Sequence, residues 1–260
     1  MIKQTMLPFK LKMSKEDITA RSGLALYAEF LRAIGLKQMV QRHMPAPGSN
    51  RGYCAWQFIE HLMLMLYGGG RHLEDVRKIA QDKALRRVIG LRRMPSCSTL
   101  GDWLRRMAEV GLRVLNSINA LMVRQMLRRD QRPAYTLWVD STLIEAEQAV
   151  WHYNSRAQME NYIKELKSGF GMEQMPSGDF KANGLWFALG VMVYNTSILQ
   201  KLYLLPEGWH HKTIHTLRWA LIEIPGKLIS HGRSLILKLA TTEEKFQTYL
   251  KMRHCCLGFT

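Results

Sequence analysis

The chain has 260 residues, of which 47% are hydrophobic, enough for one large core or two modest ones. Its 37 lysines and arginines outnumber 21 aspartates and glutamates, and the formal charge of +16 favours a polyanionic partner such as nucleic acid. The four cysteines lack metal-ligand spacing, and the N-terminal residues do not predict a secretion signal. A secreted disulfide framework is also typical of shorter chains, so we expect a bacterial-type cytoplasmic protein.

Hydrophobic periodicity predicts helices through residues 1–132, which we interpret as a DNA-binding and dimerisation region. Apolar residues at helical spacing run through residues 24–39, and turn-forming residues follow at 44–52. A second helix is predicted to end at the glycines 68–70. Shorter helices are predicted at residues 73–80 and 83–89, with a break at Gly90.

Residues 95–106 predict the start of another helix, because Thr99 and Asp102 have capping-box spacing. This helix fits the second helix of a helix-turn-helix, in which Arg105 and Arg106 would contact the base edges or phosphates of DNA. The alternative is a capped helix in an all-helical bundle, with Trp103 and its neighbour Leu104 in the core. A further helix is predicted at residues 112–127.

The pattern changes after residue 132, where we place the boundary to a second region, residues 133–240. Residues 135–142 are rich in aromatic and β-branched side chains, and they predict a strand that ends at Asp140. Taken alone, such an aspartate is best interpreted as a residue that turns the chain or caps a helix.

The most informative pattern lies in residues 153–167, where polar side chains recur at helical spacing. At 100° per residue they occupy a stripe roughly 80° wide; its members are Tyr153, Arg156, Glu160, Lys164 and Lys167. A carboxylate among cationic and phenolic groups suits a metal held against a DNA backbone. The plain alternative is a solvated helix face with an i,i+4 pair between Glu160 and Lys164.

The spacing of Tyr153, Arg156, Glu160 and Lys167 resembles the signature around the last catalytic carboxylate of DDE-type insertion-sequence transposases. The resemblance covers most of residues 135–240. It includes the segments 139–142, 180–184, 194–195, 213–218 and 225–233, of which those after residue 180 look like the post-catalytic helices of that family. What it implies is a ribonuclease-H-like α/β core that cuts transposon ends and joins them to target DNA with two magnesium ions.

By that resemblance, Asp140 and Glu160 are the expected catalytic residues and metal ligands. Tyr153, Arg156 and Lys167 would hold the DNA phosphates, and the partner would be double-stranded DNA with terminal inverted repeats. Lys164 lies outside the family's signature.

The segment between Asp140 and Tyr153 departs from the family. It has about a dozen residues, whereas a single strand takes about 5 to 6, and residues 143–152 contain no aspartate. We therefore expect an internally deleted copy that lacks the middle catalytic Asp. The expected fold is mainly α, with a helical DNA-binding region followed by an incomplete ribonuclease-H-like core, and the loss of strands should leave apolar surface uncovered.

Two alternatives to an impaired enzyme remain open. The chain could be a non-catalytic DNA-binding remnant that regulates or inhibits transposition, as a homodimer or in mixed assemblies with intact transposase. It could also be a basic helical protein of RNA metabolism, although this leaves the spacing around Glu160 unexplained.

Two other segments carry expectations of their own. Residues 184–205 are long enough to span a bilayer, but polar residues such as Asn195, Gln200 and Lys201 interrupt them, so we predict a core helix and no membrane association. Residues 241–260 carry no functional signal and are interpreted as a tail.

Overall fold

The computed structural model describes residues 13–47, 52–129, 160–232 and 234–259, and within these ranges the protein is mainly α, as predicted. The elements in chain order are β1 (Ile18–Thr19), α1 (Gly23–Ala33), α2 (Leu36–His43), α3 (Ala55–Tyr67), α4 (Val76–Ala80), α5 (Lys83–Ile89), α6 (Cys97–Leu127), α7 (Phe180–Leu204), α8 (Ile214–Leu217), β2 (Gly226–His231), β3 (Ser234–Leu239) and α9 (Glu243–Leu257). Residues 160–164 are also helical. Short 3-10 turns occupy Leu73–Asp75 and Glu207–Trp209, and π-helical turns occupy Glu165–Gly169 and Arg218–Ile222.

The single helix predicted over residues 24–39 is wrong, because the chain forms two helices there, α1 and α2. Gly35 separates them with a φ of +75°, a left-handed conformation that glycine adopts without steric cost. Its N–H donates to the carbonyl of Arg32 at the end of α1. Periodicity continues across this break because both helices bury apolar residues in the same core.

The long helix α6 corrects two predictions. It is one helix of 31 residues instead of two, and its N-cap is Ser96, whose hydroxyl accepts the N–H of Thr99 at 3.2 Å. The predicted capping box from Thr99 to Asp102 is therefore wrong, since Thr99 is already inside the helix. Trp103 and Leu104 are buried, as the bundle alternative predicted.

The core helix predicted at residues 184–205 is confirmed as α7, which lies parallel to α6. Lys181 pairs with Glu109 at 3.0 Å near the start of the contact, and the Tyr203 hydroxyl donates to the carbonyl of Met126 at 3.0 Å near its end. Trp186 and other apolar residues of α7 are fully buried. Among the described residues, no helix has the length and hydropathy needed to cross a membrane.

Residues from both halves of the chain share one core. Tyr27 of α1 and Tyr67 of α3 stack with ring centroids 3.6 Å apart. The Tyr27 hydroxyl is 2.7 Å from that of Thr196 in α7, and the Tyr67 hydroxyl donates to Gln200 in the same helix. The domain boundary predicted at residues 132/133 lies outside the described residues, and the described residues on either side of it pack together.

The sheet has the order β1-β2-β3, with both pairs antiparallel. β2 and β3 form a hairpin whose register runs from Gly226 opposite Leu239 to His231 opposite Ser234. Gly232, with a φ of +59°, lies in the turn between them. The expectation that residues 225–233 belong to the post-catalytic helices is therefore wrong, since Gly226–His231 form a strand and Gly232 lies in a turn.

The predicted tail contains the helix α9, which packs against α1. The Tyr249 hydroxyl donates to the carbonyl of Leu221, Met252 is buried, and Arg253 forms a salt bridge with Glu29 at 3.0 Å. The segment therefore contributes to the fold.

Between α1, β3 and α9 lies an apolar groove of about 670 Å³. We call it the α9 groove, and its lining includes Ala25, Leu26, Leu235, Leu237, Phe246, Leu250 and Leu257. Leu250 is 46% exposed there. The expectation that lost strands leave the face of the helix at residues 184–205 uncovered is wrong, because the face of α7 is largely buried. The edge of the strand predicted at residues 135–142 lies outside the described residues.

Candidate DNA-binding surface and metal site

The helical segment that begins the third described range carries the predicted polar face. Glu160, Lys164 and Lys167 are all exposed, as are the residues between Glu160 and Lys164. Lys167 lies in the π-helical turn Glu165–Gly169, where the spacing of an α-helix no longer applies. This segment therefore places one carboxylate and two ammonium groups at the protein surface. Asp140, Tyr153 and Arg156 lie outside the described residues.

The segment ends in a π-helical turn that fixes it against the core. The carboxylate of Glu165 accepts the N–H of Ile214 at 2.6 Å and so caps the start of α8. Phe170 is fully buried and packs edge-on against Tyr194 of α7, with ring centroids 5.8 Å apart. The exposed face of Glu160 and Lys167 is thus held from behind by partly and fully buried side chains.

Arg218 joins the end of this segment to α3. Its guanidinium donates at 2.7 Å to the carbonyl of Gly169, and at 2.8 Å each to those of Leu66 and Tyr67. The side chain is buried, and its charge lies at the carboxyl ends of two helical segments, where the backbone dipoles are negative. One cation therefore satisfies carbonyl groups that would otherwise lack a partner.

Burial perturbs the ionisable groups behind the exposed face. It lowers the pKa of Arg218 to about 10, although the neighbouring Tyr67 and Glu223 oppose the shift. Burial also lowers the pKa of Lys201, with Glu165 opposing. The pKa of Tyr194 is raised by burial and further by Glu165. These residues are held by the fold, and Lys201 donates to the carbonyl of Lys212 at 3.0 Å.

The two arginines predicted to contact DNA from α6 differ in environment. Arg105 is exposed and forms a salt bridge with Asp102 at 2.6 Å. Arg106 is exposed without a salt bridge among the described residues. Trp103, on the other side of the helix, stacks on Phe58 with ring centroids 4.9 Å apart, which holds the first turns of α6 against α3.

Of the two predicted metal ligands, only Glu160 lies in the described part of the chain. Within it, no three His, Cys, Asp or Glu side chains lie close enough together to hold an ion. The exposed carboxylate of Glu160 is an oxygen ligand of the kind that magnesium prefers, and the second predicted ligand, Asp140, lies outside the described ranges.

The protein is basic and mainly helical, and it exposes the carboxylate of Glu160 ahead of Lys164 and Lys167. The family model "Transposase DDE domain" matches residues 48–196, more than half of the chain. The model "Transposase DDE domain group 1" matches residues 143–253. The chain therefore belongs to the DDE transposase family, and the resemblance inferred from the Glu160 signature is confirmed.

DDE transposase domains bind DNA and generally use divalent metal ions. No curated protein and no solved structure matches the chain significantly.

The sequence pattern predicted the helix that contains Glu160 and missed the residues that support it. The supporting residues are Arg218, the last residue of the matched segment 213–218, and Glu165, which directly follows Lys164. Their positions in the sequence do not indicate which distant residues they contact. The bonds from Gly169 to Arg218 and from Ile214 to Glu165 each span 49 residues. A buried arginine in an otherwise apolar helical run was the one available signal, since such a residue needs several acceptors.

Proposed function

We propose that this chain binds the terminal inverted repeats of an insertion sequence as double-stranded DNA and is a transposase with impaired catalysis. The observation that carries the proposal is the exposed face of Glu160 and Lys167, anchored by buried residues, in a member of the DDE family. In this proposal, Tyr153, Arg156 and Lys167 hold phosphates near the cut. Residues 1–132, including Arg105 and Arg106, supply further DNA contacts.

Asp140 and Glu160 are the proposed ligands of magnesium. Two-metal phosphoryl transfer needs carboxylates that hold two ions about 3.5 to 4 Å apart, and residues 143–152 offer no middle aspartate. We attribute this to an internal deletion that leaves residues 133–240 as a remnant of the catalytic core. The second ion should then bind weakly, so strand transfer should be slow or absent. DNA binding would also make the protein nucleoid-associated.

A cleavage assay tests the proposed catalytic state. The substrate is duplex DNA that carries the terminal repeats flanking the gene, incubated with the protein and magnesium. We expect specific binding and little or no cleavage. Efficient magnesium-dependent cleavage that Glu160→Ala abolishes, while the exposed control Glu173→Ala keeps it, would show that the site is complete without a middle aspartate.

The second candidate function is that of a non-catalytic regulator or inhibitor of transposition. It is favoured by the sequence between Asp140 and Tyr153, which contains no aspartate. In this case DNA binding persists in EDTA, and adding the protein to an intact transposase lowers its activity through competition for ends or through mixed assemblies. Binding that requires magnesium, or no inhibition at saturating protein, argues against it.

A further inference from the structure

The solvent-facing side of α6 carries a line of arginines that the family resemblance does not include. We call Arg106, Arg113, Arg124 and Arg128 the α6 ridge, and all four are exposed. At 100° per residue, Arg113 lies about 20° to one side of Arg106, Arg124 returns to about 0°, and Arg128 lies about 40° to the other side. The opposite side of the same helix is buried, with Leu115, Ile118 and Met122 in the core.

The acidic residues near this ridge are already paired. Asp102 binds Arg105 at 2.6 Å, and Glu109 binds Lys181 at 3.0 Å. Glu109 also attracts the ridge residue Arg113 electrostatically, one turn further along α6. Within the described part of the chain, no ridge arginine forms a salt bridge. The exposed residues between the arginines include Val110, Ser117 and Leu121, which are uncharged. The ridge therefore presents positive charge over a surface that a polyanion can approach closely.

The length of the ridge matches a repeat in DNA. Arg106 and Arg128 are 22 positions apart, or about 33 Å along the helix axis at 1.5 Å per residue. One turn of B-DNA is about 34 to 36 Å long. A straight helix of this length can therefore contact phosphates at two successive crossings of the same groove, with Arg113 available between them.

We propose that the α6 ridge binds the phosphate backbone of duplex DNA over about one helical turn. This inference rests on the proposed DNA-binding function and deepens it by naming the surface. A lipid membrane is also anionic, but the apolar side of α6 is buried in the protein and cannot insert. The cations of the ridge form a line and not a broad patch. A line of cations fits a rod-shaped polyanion such as DNA better than the flat surface of a membrane.

The test measures binding of a fluorescent 20-base-pair duplex by anisotropy at several salt concentrations. The ridge variant is Arg113→Gln/Arg124→Gln/Arg128→Gln. The control, Lys37→Gln/Arg42→Gln/Lys251→Gln, removes the same charge from exposed positions of α2 and α9. Because each phosphate contact contributes about 0.9 to the slope of log affinity against log salt, the ridge variant should lose roughly 3 units of slope. The control should keep the wild-type slope.

Each outcome decides one point. A wild-type protein that does not bind duplex DNA overturns the proposed function and the ridge with it. If the wild type binds DNA and both triple variants lose the same amount of slope, the proposed role of the α6 ridge is wrong but the proposed function stands, because net charge would then explain the effect. Retained DNA binding, combined with loss of binding to phosphatidylserine vesicles, also overturns it in favour of a membrane surface. Melting temperatures are measured for all three proteins. Equal values show that the differences in slope come from DNA binding and not from unfolding of a variant.

Discussion

The guanidinium of Arg218 donates hydrogen bonds to three backbone carbonyls in two helical segments that are distant in sequence. Gly169 belongs to the segment that presents Glu160, and Leu66 and Tyr67 end α3. Buried carbonyls without a donor are costly, so this one side chain sets how the Glu160 segment lies on the helical core.

Replacing Arg218 with methionine should destabilise the protein by roughly 3 kcal/mol, because three carbonyls lose their donors while the volume is nearly kept. Urea denaturation at neutral pH measures the change. Arg71→Met is the matched control, since exposed Arg71 donates a single bond of 3.2 Å to Ser168 in the same turn. A loss from Arg71→Met equal to that from Arg218→Met would show that the buried carbonyls find other partners.

Asp75 should contribute stability that disappears in acid. Burial tends to raise the pKa of its carboxyl, but hydrogen bonds from Lys78 and from the N–H groups of Arg71 and His72 outweigh this and lower the pKa to about 2. Because the folded-state pKa is below the unfolded value, the stabilisation is full above about pH 4 and is lost as the pH falls towards 2. The amount is roughly 1 kcal/mol after allowance for solvent screening.

The measurement compares wild type and Asp75→Asn by urea denaturation at pH 7 and pH 3. The difference between the two proteins should shrink at the lower pH. Asp102→Asn, which removes an exposed ion pair on α6, serves as the comparison. A difference for Asp75→Asn that is the same at both pH values would mean that its hydrogen bonds do not depend on charge.

At the scale of elements, α1 approaches the π-turn Arg218–Ile222 closely at Gly23. A Cβ built there would lie 2.0 Å from the carbonyl oxygen of Leu221 and 2.6 Å from the Cα of Ile222. Both atoms belong to the backbone, so neither can move without shifting the turn that carries Arg218. Glycine is therefore required at the first position of α1 by space, and not by backbone conformation.

Gly23→Ala should destabilise the protein by about 2 kcal/mol or more, as overpacking of a close contact does. The matched substitution is Gly184→Ala in α7, where the added methyl would meet a side-chain carbon of Leu112 at an ordinary 3.4 Å. Because alanine favours helix over glycine, this second variant should be neutral or up to about 1 kcal/mol more stable. Thermal unfolding followed by circular dichroism distinguishes the two, and equal effects would contradict the close approach.

Much of the helical framework could be predicted from the sequence, because apolar periodicity records which faces are buried. The bounds of α5 were predicted directly, and α7 was identified as a core helix. Periodicity does not record where neighbouring helices join or separate, so the break at Gly35 and the continuity of α6 were missed. The hairpin of β2 and β3 was missed because a family resemblance was extended to residues whose own pattern is a strand. The helix at residues 160–164 could be predicted from spacing, whereas its support by Arg218 depends on tertiary contacts.

At the scale of the whole molecule, the α9 groove leaves apolar side chains such as Leu235 and Leu250 open to solvent. Hydrophobic dyes bind such openings in a folded protein, and similar patches on two copies can associate. The groove is bounded by folded helices and a strand, so dye binding here does not require loss of tertiary packing.

We expect the native protein to increase the fluorescence of an anionic hydrophobic dye, and Leu250→Gln to reduce this increase by about half or more through loss of apolar lining. Met175→Gln removes a side chain of similar exposure outside the groove and should leave the signal unchanged. Native protein that gives no signal, or equal loss in both variants, would contradict the prediction that the α9 groove binds the dye.

Because α6 and α7 contact each other along their length, from Lys181 with Glu109 to Tyr203 with Met126, we expect the two halves to stay together when the chain is cut between residues 129 and 160. Their interface is continued by the stacked tyrosines of α1 and α3 against α7, so both polypeptides would contribute to a common interior. A protease site inserted in that link should therefore yield a nicked protein that co-elutes as one species in size-exclusion chromatography. Two separately encoded pieces should likewise reconstitute one particle, whereas either piece expressed by itself should be insoluble.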